Sequence, residues 1–177
     1  MLLDEALPHL PRLRRYAHLL TGDAASADDL LQDTLERAAR KWQLWRPEQG
    51  PAERSAALRA WLLTLMHHLF VNQWRSRQRH LHESYEDEGP WAAAPEPQLQ
   101  TALRLDLERS LSALPPAARE VLLLVCVEEL SYEQAATVLA VPVGTVMSRL
   151  SRARERLRCL MEGGAPTAAA PSLRRIK

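Results

Sequence analysis

Aromatic residues are scarce in this sequence, and cysteine is almost absent. Aromatic side chains make up 5% of the chain and Phe occurs once, which argues against the core of a β-sandwich. The two cysteines, Cys126 and Cys159, lie in separate segments with no second pair at zinc-ligand spacing. We therefore expect buried, reduced thiols rather than a disulfide or a metal site.

Long apolar runs are also missing. No stretch approaches the roughly 18 to 20 apolar residues that a membrane-spanning helix needs. The N-terminal segment "MLLDEALPHL" has acids and a proline where a signal peptide has bases and a longer apolar run. The sequence therefore predicts a cytoplasmic protein with no membrane insertion.

The abundant residues indicate helices. Leu, Ala, Arg and Glu dominate, and hydrophobic residues make up 46% of the 177 positions. These residue types favour helical packing, whereas β-branched runs are rare. The sequence predicts an all-α protein made of two small helical domains joined by a flexible linker.

The net charge of +1 hides a strong segregation of charge. Residues 81–100 hold five acids and no Lys or Arg, whereas residues 143–160 hold five arginines and one glutamate. The acidic stretch is rich in proline and lacks periodicity, which is typical of a linker. We predict a first domain over 1–79, a linker over 80–102, a second domain over 103–162 and a disordered tail over 163–177.

The second helix of the first domain has one polar face. Gly22 ends the preceding helix, and Ser26 is predicted to cap the new one. An inward stripe of Leu31, Leu35, Ala38 and Trp42 leaves acids and an amide facing outward with no visible partner in the chain. From spacing alone this face is either a solvated flank or a docking surface. Its members are Asp28, Asp29, Gln32, Asp33 and Glu36.

The third helix is predicted to run from near Ser55 to near Arg79, with Leu58, Leu62, Leu65 and Leu69 buried. At about 100° per residue, a second strip carries an aromatic, a histidine, an amide and arginines. Such a strip suits a phosphate chain and exposed bases, or it is an ordinary surface edge. His67 and His68 point too far apart to chelate a metal together. The strip contains Trp61, His68, Asn72, Arg75 and Arg79.

The second domain contains a helix-turn-helix pattern. Ser131 and Gln134 form a capping box for a short helix ending at Leu139, and a last helix follows Pro142. Its buried stripe is Val146, Leu150, Ala153, Leu157 and Leu160. The opposite face predicts Arg152 as a base reader and Arg149 as a phosphate clamp or an ion-pair partner. The other candidate DNA contacts are the backbone amides of Gly144 and Thr145 and the side chains of Met147, Ser148 and Ser151.

Three segments in this order resemble the extracytoplasmic-function sigma factors, the small initiation subunits of bacterial RNA polymerase. "ADDLLQDTLERA" resembles the polymerase-clamp motif and "RAWLLTLMHHLFVNQWRSR" the promoter-melting helix. The segment from "ALPPAAREV" to "RARERL" resembles the domain that reads the minus-35 element. The resemblance covers roughly residues 5–79 and 103–161.

The resemblance implies partners as well as a fold. Asp29, Gln32 and Asp33 would contact the coiled coil of the largest subunit of the polymerase core, and the second domain would contact the core flap. His68, Asn72, Arg75 and Arg77 would lie along the minus-10 DNA, with a specificity loop at residues 43–57. A cognate anti-sigma factor is a further partner of many relatives. No cofactor is implied, and no catalytic constellation supports an enzyme.

Two other classes remain open. A plain helix-turn-helix regulator would use its N-terminal helices for dimerisation or sensing, and it would not need the acidic face. A protein-binding adaptor would show no salt-dependent affinity for DNA. Within the resemblance, Ala140 occupies a turn position where glycine is common, and Met147 occupies a position where Lys or Arg is frequent.

Overall fold

The fold is built from helices and short connections. The computed structural model describes residues 2–45, 50–81 and 99–162, and no strand occurs in these ranges. The predicted all-α class is confirmed. The predicted linker falls largely on residues 82–98, and the predicted tail on 163–177, which lie outside the described residues.

Four α-helices form the described part of the first domain. They are α1 (Leu2–Ala6), α2 (Leu10–Thr21), α3 (Ala24–Lys41) and α4 (Pro51–Leu81), with 3-10 turns at Leu7–His9 and Trp42–Leu44. Gly22 ends α2 at φ +88°, a left-handed conformation that glycine adopts without steric cost, as predicted. The α2 core includes Tyr16, which is fully buried.

The predicted start of α3 is wrong. Asp23, not Ser26, caps the helix, because its carboxylate accepts a hydrogen bond from the Ser26 amide at 2.8 Å. The helix therefore starts earlier, at Ala24. The predicted buried stripe is also displaced: Ala27, Leu30, Thr34 and Ala38 are buried, whereas Leu31, Leu35 and Trp42 are half-buried. Thr34 is tolerated inside because its hydroxyl donates to the Leu30 carbonyl at 2.7 Å.

Helix α4 is longer than its pattern suggested. It begins at Pro51, because proline at a helix start loses no backbone hydrogen bond, and it continues to Leu81. Residues 51–57 are therefore helical, and they are not part of a loop over 43–57. The connection from the Trp42–Leu44 turn to α4 is short, and its residues 46–49 lie outside the described part.

The second domain also has four α-helices. They are α5 (Leu99–Ser112), α6 (Pro116–Cys126), α7 (Tyr132–Leu139) and α8 (Val143–Met161). Helix α5 begins within the predicted linker. The capping box of Ser131 and Gln134 is confirmed, with both reciprocal hydrogen bonds present.

The joint between α7 and α8 is strained at one residue. Ala140 has φ +51° and ψ +45°, the left-handed conformation that closes the turn. A methyl side chain in that conformation costs about 1 kcal/mol relative to glycine. The helix-turn-helix angle is therefore maintained by packing around α7 and α8, since Val138, Leu139, Val146 and Leu150 are buried.

The two domains pack directly against each other. Helix α4 contacts α7, and α2 contacts α5 and α6. Leu13 and Met66 of the first domain and Leu123 and Leu124 of the second are fully buried, and they belong to one apolar core. The described residues therefore form a single packed body built from two helical units.

The cysteine prediction is partly wrong. Both thiols are free, but Cys126 is exposed and Cys159 is half-buried. Cys126 is the last residue of α6, beyond the buried run that ends at Leu124, and its sulfur lies 3.5 Å from an Arg154 nitrogen.

None of the helices in the described ranges is both long enough and apolar enough to span a bilayer.

Candidate nucleic-acid and polymerase interfaces

The acidic face of α3 is exposed along its whole length. All five predicted members, Asp28, Asp29, Gln32, Asp33 and Glu36, lie at the surface. They do so because the buried stripe of Ala27, Leu30 and Thr34 occupies the opposite side of the helix. This face offers carboxylates and one amide to a partner.

Several of these side chains already have partners within the chain, contrary to the expectation. Arg14 donates two hydrogen bonds to Asp28, at 2.8 and 2.9 Å. Gln73 of α4 donates to Asp33 at 3.0 Å, and Glu36 accepts from Gln32 and from Arg40. Asp29 has no hydrogen bond to another described side chain, and it is the member most available to a partner.

The predicted strip on α4 starts at an aromatic cluster. Trp61 is half-buried, and its ring lies 5.9 Å from Trp45 and 6.4 Å from Trp42 between centroids. Trp42 and Trp45 stack at 4.9 Å, and the Arg54 guanidinium lies 4.9 Å above Trp45. The cluster is therefore a group of half-buried indole rings that pack on one another at the beginning of the strip.

The rest of the strip is exposed and electropositive. His68, Asn72, Arg75 and Arg79 lie at the surface along α4. Partial burial, together with the neighbouring His67, Arg37 and Lys41, lowers the pKa of His68. The imidazole is therefore neutral at neutral pH and is a hydrogen-bonding group beside positive charge.

Arg77 faces a different direction from the rest of the strip. Its guanidinium lies 3.3 Å from the Ser26 hydroxyl, at the beginning of α3. Arg77 therefore links α4 to α3 while it stays exposed. A role in DNA contact requires it to release or share this hydrogen bond.

Helix α8 has the two sides that its sequence predicts. Val146, Leu150 and Ala153 are buried. Arg152 is exposed and Arg149 is half-buried, so the two arginines differ in surroundings as the periodicity indicated. The exposed side carries the remaining candidates Gly144, Met147, Ser148 and Ser151.

The beginning of α8 offers fewer free amides than predicted. Pro142 caps the helix without a side-chain hydrogen bond, and its carbonyl accepts from the Thr145 amide at 2.9 Å. Thr145 is therefore not an open amide donor. Gly144 remains open, because an added Cβ would meet no atom within 4 Å apart from its chain neighbours and the backbone of its own helix.

Sequence reasoning missed some residues near these surfaces. Arg37 and Lys41 of α3 add positive charge beside His68. Trp45 and Arg54 extend the aromatic surface around Trp61. The basic residues at the end of α3 were a usable signal, but the contact between Arg54 and Trp45 depends on the path of the chain before α4.

The helical fold, the basic aromatic strip and the helix-turn-helix together define a DNA-binding transcription factor. Comparison with family models supports this class. A model described as "Sigma-70, region 4" matches residues 104–157, and one described as "Sigma2 domain of PhyR" matches residues 6–67. The two matches fall on the two helical units.

Individual relatives identify the family. The chain is 36% identical to the ECF RNA polymerase sigma factor EcfG of Rhodopseudomonas palustris, over 90% of this chain and 84% of the relative. It is 33% identical to the ECF RNA polymerase sigma factor SigL of Mycobacterium tuberculosis, over 87% of this chain and 85% of the relative. The chain belongs to the ECF RNA polymerase sigma factors.

A solved structure has the same fold. The co-crystal structure of the sigma factor RpoE with the anti-sigma factor NepR from Bartonella quintana contains a chain with a TM-score of 0.71 to this one. The two chains are 31% identical, and the match covers 90% of this chain and 95% of the other.

Proposed function

We propose that this chain is a sigma subunit that recruits core RNA polymerase to specific promoters. Its second domain reads the minus-35 element, and its first domain reads and melts the minus-10 element. The observation that supports this function is the presence in one chain of an exposed acidic face, a basic aromatic strip and a helix-turn-helix. A simple DNA-binding regulator needs only the last of these surfaces.

The acidic face of α3 is the proposed contact with the core enzyme. Asp29, Gln32 and Asp33 contact the coiled coil of the largest subunit, with Asp28 and Glu36 at the edges of the contact. The exposure of all five side chains supports this role. The second domain contacts the flap of the core.

The α4 strip is the proposed minus-10 interface. The exposed side chains of Asn72, Arg75 and Arg79 line the DNA backbone, with Arg77 at one side and His68 next to the bases. The tryptophan cluster around Trp61 supports capture of an unstacked base, since stacking on an aromatic ring contributes about 1–3 kcal/mol per base. That gain offsets an unstacking cost of a few kcal/mol.

The exposed side of α8 is the proposed minus-35 interface. Arg152 reads a base edge, and Arg149 holds a phosphate from its half-buried position. The other contacts are the open backbone at Gly144 and the side chains of Met147, Ser148 and Ser151. Thr145 is left with its side chain, because its amide donates to Pro142.

The proposed domains are the predicted 1–79 and 103–162, extended by the ends of α4 and α5 to Leu81 and from Leu99, so that the connecting segment is 82–98 and the tail is 163–177. The family matches over residues 6–67 and 104–157 fall inside the two domains. As a sigma subunit the chain has no catalytic chemistry of its own, and it acts in the cytoplasm.

The deciding experiment is in vitro transcription with core polymerase over a library of promoter sequences. We expect transcripts that depend on this chain and that share two sequence elements. The runner-up, a helix-turn-helix regulator, predicts DNA binding without co-purification with core polymerase. Failure to bind core would reject the sigma function.

A cognate anti-sigma factor is a further proposed partner. The similar structure from Bartonella quintana contains the anti-sigma factor NepR. In this chain an apolar groove of about 510 Å³ lies between α2 and the second domain, lined in part by Leu19, Leu107 and Leu122. Arg15, Arg104 and Glu108 also line it, and Arg104 is paired with Glu108 at 2.9 Å. An amphipathic helix with an acidic group near Arg15 therefore fits its chemistry.

A further inference from the structure

Glu128 is a buried carboxylate whose side-chain partners all belong to the other domain. It follows α6 in the second domain, and its side chain is 0% exposed. One carboxylate oxygen lies 3.1 Å from Arg12 Nε of α2 and 3.2 Å from Arg59 Nη1 of α4. The other oxygen has no hydrogen-bond partner. Packing of the two domains is therefore what buries this charge.

The backbone around Glu128 joins the same contact. Arg59 also donates to the Glu128 carbonyl, and Arg12 to the Val127 carbonyl, both at 3.0 Å. The next residue, Glu129, has φ +56°, a left-handed conformation that a non-glycine residue rarely adopts. This strained turn presents two carbonyls and a carboxylate to the arginines of the first domain.

Two more polar contacts cross the same boundary. His67 Nδ1 of α4 lies 2.7 Å from Glu120 Oε1 of α6. Arg119 of α6 donates to the Leu20 carbonyl, at the end of α2, at 2.7 Å. Buried polar groups are stable only when paired, so these contacts fix one relative arrangement of the domains.

When the two domains are packed together in this way, which we call the closed state, their two proposed DNA-binding surfaces lie too close together to reach both promoter elements. Helix α4 packs on α7 and α7 on α8, so two helix packings of about 10 Å each separate the α4 strip from the recognition helix. The minus-35 and minus-10 elements lie about 25 base pairs apart, which is about 85 Å of duplex. One molecule cannot reach both elements without separating its domains.

We propose that Glu128, with Arg12 and Arg59, is a latch that holds the protein in a closed state and opposes its assembly into a promoter-reading holoenzyme. The inference rests on the sigma function proposed above. The chain has enough length to open, because the 17 residues between Leu81 and Leu99 span up to about 60 Å when extended. The proposed DNA contacts stay exposed or half-buried in the closed state, so the latch acts through distance and not by covering them.

The test reverses the buried charge. Glu128→Lys places a cation against Arg12 and Arg59, and it should open the protein. Adding Arg59→Glu to Glu128→Lys restores an ion pair with exchanged charges, and it should close the protein again. Asp106→Lys is the matched control, because it makes the same change of charge at an exposed position of α5.

The first measurement is the radius of gyration by small-angle scattering. Wild type and the control should be compact, near the roughly 16 Å of a folded chain of this length. Glu128→Lys should be larger at unchanged helical circular dichroism, and the double variant should be compact. Arg59→Glu alone breaks the latch from the first domain and should also expand the protein. An expanded wild type, or a compact Glu128→Lys with a compact Arg59→Glu, overturns the latch.

The second measurement is the Kd for core polymerase. Closure reduces the apparent affinity by the open fraction, so opening should tighten binding by about tenfold when nine molecules in ten are closed. The double variant should return to the wild-type Kd. Expansion without tighter binding overturns the claim that closure opposes holoenzyme assembly. Failure of the wild type to bind core overturns the sigma function, while the scattering result still decides the latch.

Discussion

Arg149 and Arg152 are three residues apart on α8, but they have different surroundings. Arg152 is exposed, and its Nε donates to the Ser148 carbonyl at 3.2 Å. Arg149 is half-buried next to the packed side of the helix. The exposed arginine can move into a major groove, whereas the half-buried one is limited to the edge of the contact.

Arg152→Ala should relax the preference at one minus-35 base pair and cost about 1–3 kcal/mol, because a bidentate contact to guanine is lost. Arg149→Ala should weaken binding to all sequences alike or lower stability, because a phosphate contact carries no sequence information. The measurement is a minus-35 base-substitution series bound by both variants and by wild type. A changed base preference in Arg149→Ala with an intact one in Arg152→Ala would exchange the two roles.

The left-handed conformation of Ala140 in the turn between α7 and α8 can be tested by its effect on stability. Ala140→Gly removes the methyl group from a left-handed conformation, and it should raise the free energy of unfolding by about 1 kcal/mol. Urea denaturation measures the change. Ala113→Gly, near the end of α5, is the control and should not stabilise the protein. An Ala140→Gly variant that is less stable than wild type would show that the turn gains nothing from glycine.

At the scale of elements, α3 and α4 allow their binding and packing roles to be separated. Asp29→Ala should leave folding unchanged, because this side chain makes no hydrogen bond to a described side chain, yet it should weaken core binding by about tenfold (about 1.4 kcal/mol). Asp106→Ala on α5 is the control. Titration of fluorescent core polymerase gives the Kd of each variant, which is compared with that of the wild type. Equal core affinity for wild type and Asp29→Ala would argue against the acidic face as the docking surface.

The tryptophan cluster predicts a defect in promoter opening. Trp61→Ala removes the ring that lies against Trp42 and Trp45, and it should slow promoter melting by about tenfold or more through loss of base stacking. Trp74→Ala on the same helix is the control, since Trp74 is exposed. Permanganate reactivity of promoter thymines follows the melting. Equal melting by the two variants would remove the cluster from the minus-10 interface.

Sequence periodicity predicted the helices better than it predicted their ends. The capping box of Ser131 and Gln134 and the glycine stop at Gly22 were readable because each uses a local hydrogen bond or a local φ angle. The cap of α3 was missed because Asp23 and Ser26 both suit that role, and only the chain path decides between them. The early start of α4 at Pro51 was missed because its first turns have no apolar stripe.

The contact between the domains was not predictable. Glu128 and Glu120 read as ordinary surface acids, because their partners Arg12, Arg59 and His67 lie 53 or more positions away in sequence. Local pattern carries no information about such pairs. The orientation of Arg149 and Arg152 was predictable, since it depends only on the helical period.

At the scale of the whole molecule, domain closure should depend on pH. Burial raises the pKa of Glu128 more than Arg12 and Arg59 lower it. The Tyr16 phenol faces the same region, and its pKa is raised mainly by burial and further by Glu120 and Glu128. The closed state therefore binds a proton at Glu128 more readily than an open state with a solvated carboxylate.

This linkage sets the direction in which domain closure changes with pH. Protonation removes the cost of burying the Glu128 charge, so closure is most stable below the ordinary pKa of a glutamate. As the pH rises through the raised pKa closure weakens but persists, because the ion pairs with Arg12 and Arg59 offset part of the burial cost. The radius of gyration of the wild type should therefore decrease as the pH is lowered. Glu128→Gln cannot ionise and should flatten this dependence. A radius that increases with acidification at intact helicity would contradict the raised pKa.

The contacts of Glu128 with arginines of the first domain also have a consequence during synthesis. A ribosome adds about 5–20 residues per second, so about 4–16 s separate the completion of α4 from that of α8. During that interval the nascent first domain has Arg12 and Arg59 without their carboxylate, and the faces of α2 and α4 that later pack on the second domain are uncovered. During this interval the nascent first domain therefore carries more net positive charge than the complete protein. It also exposes packing surfaces that can bind other molecules.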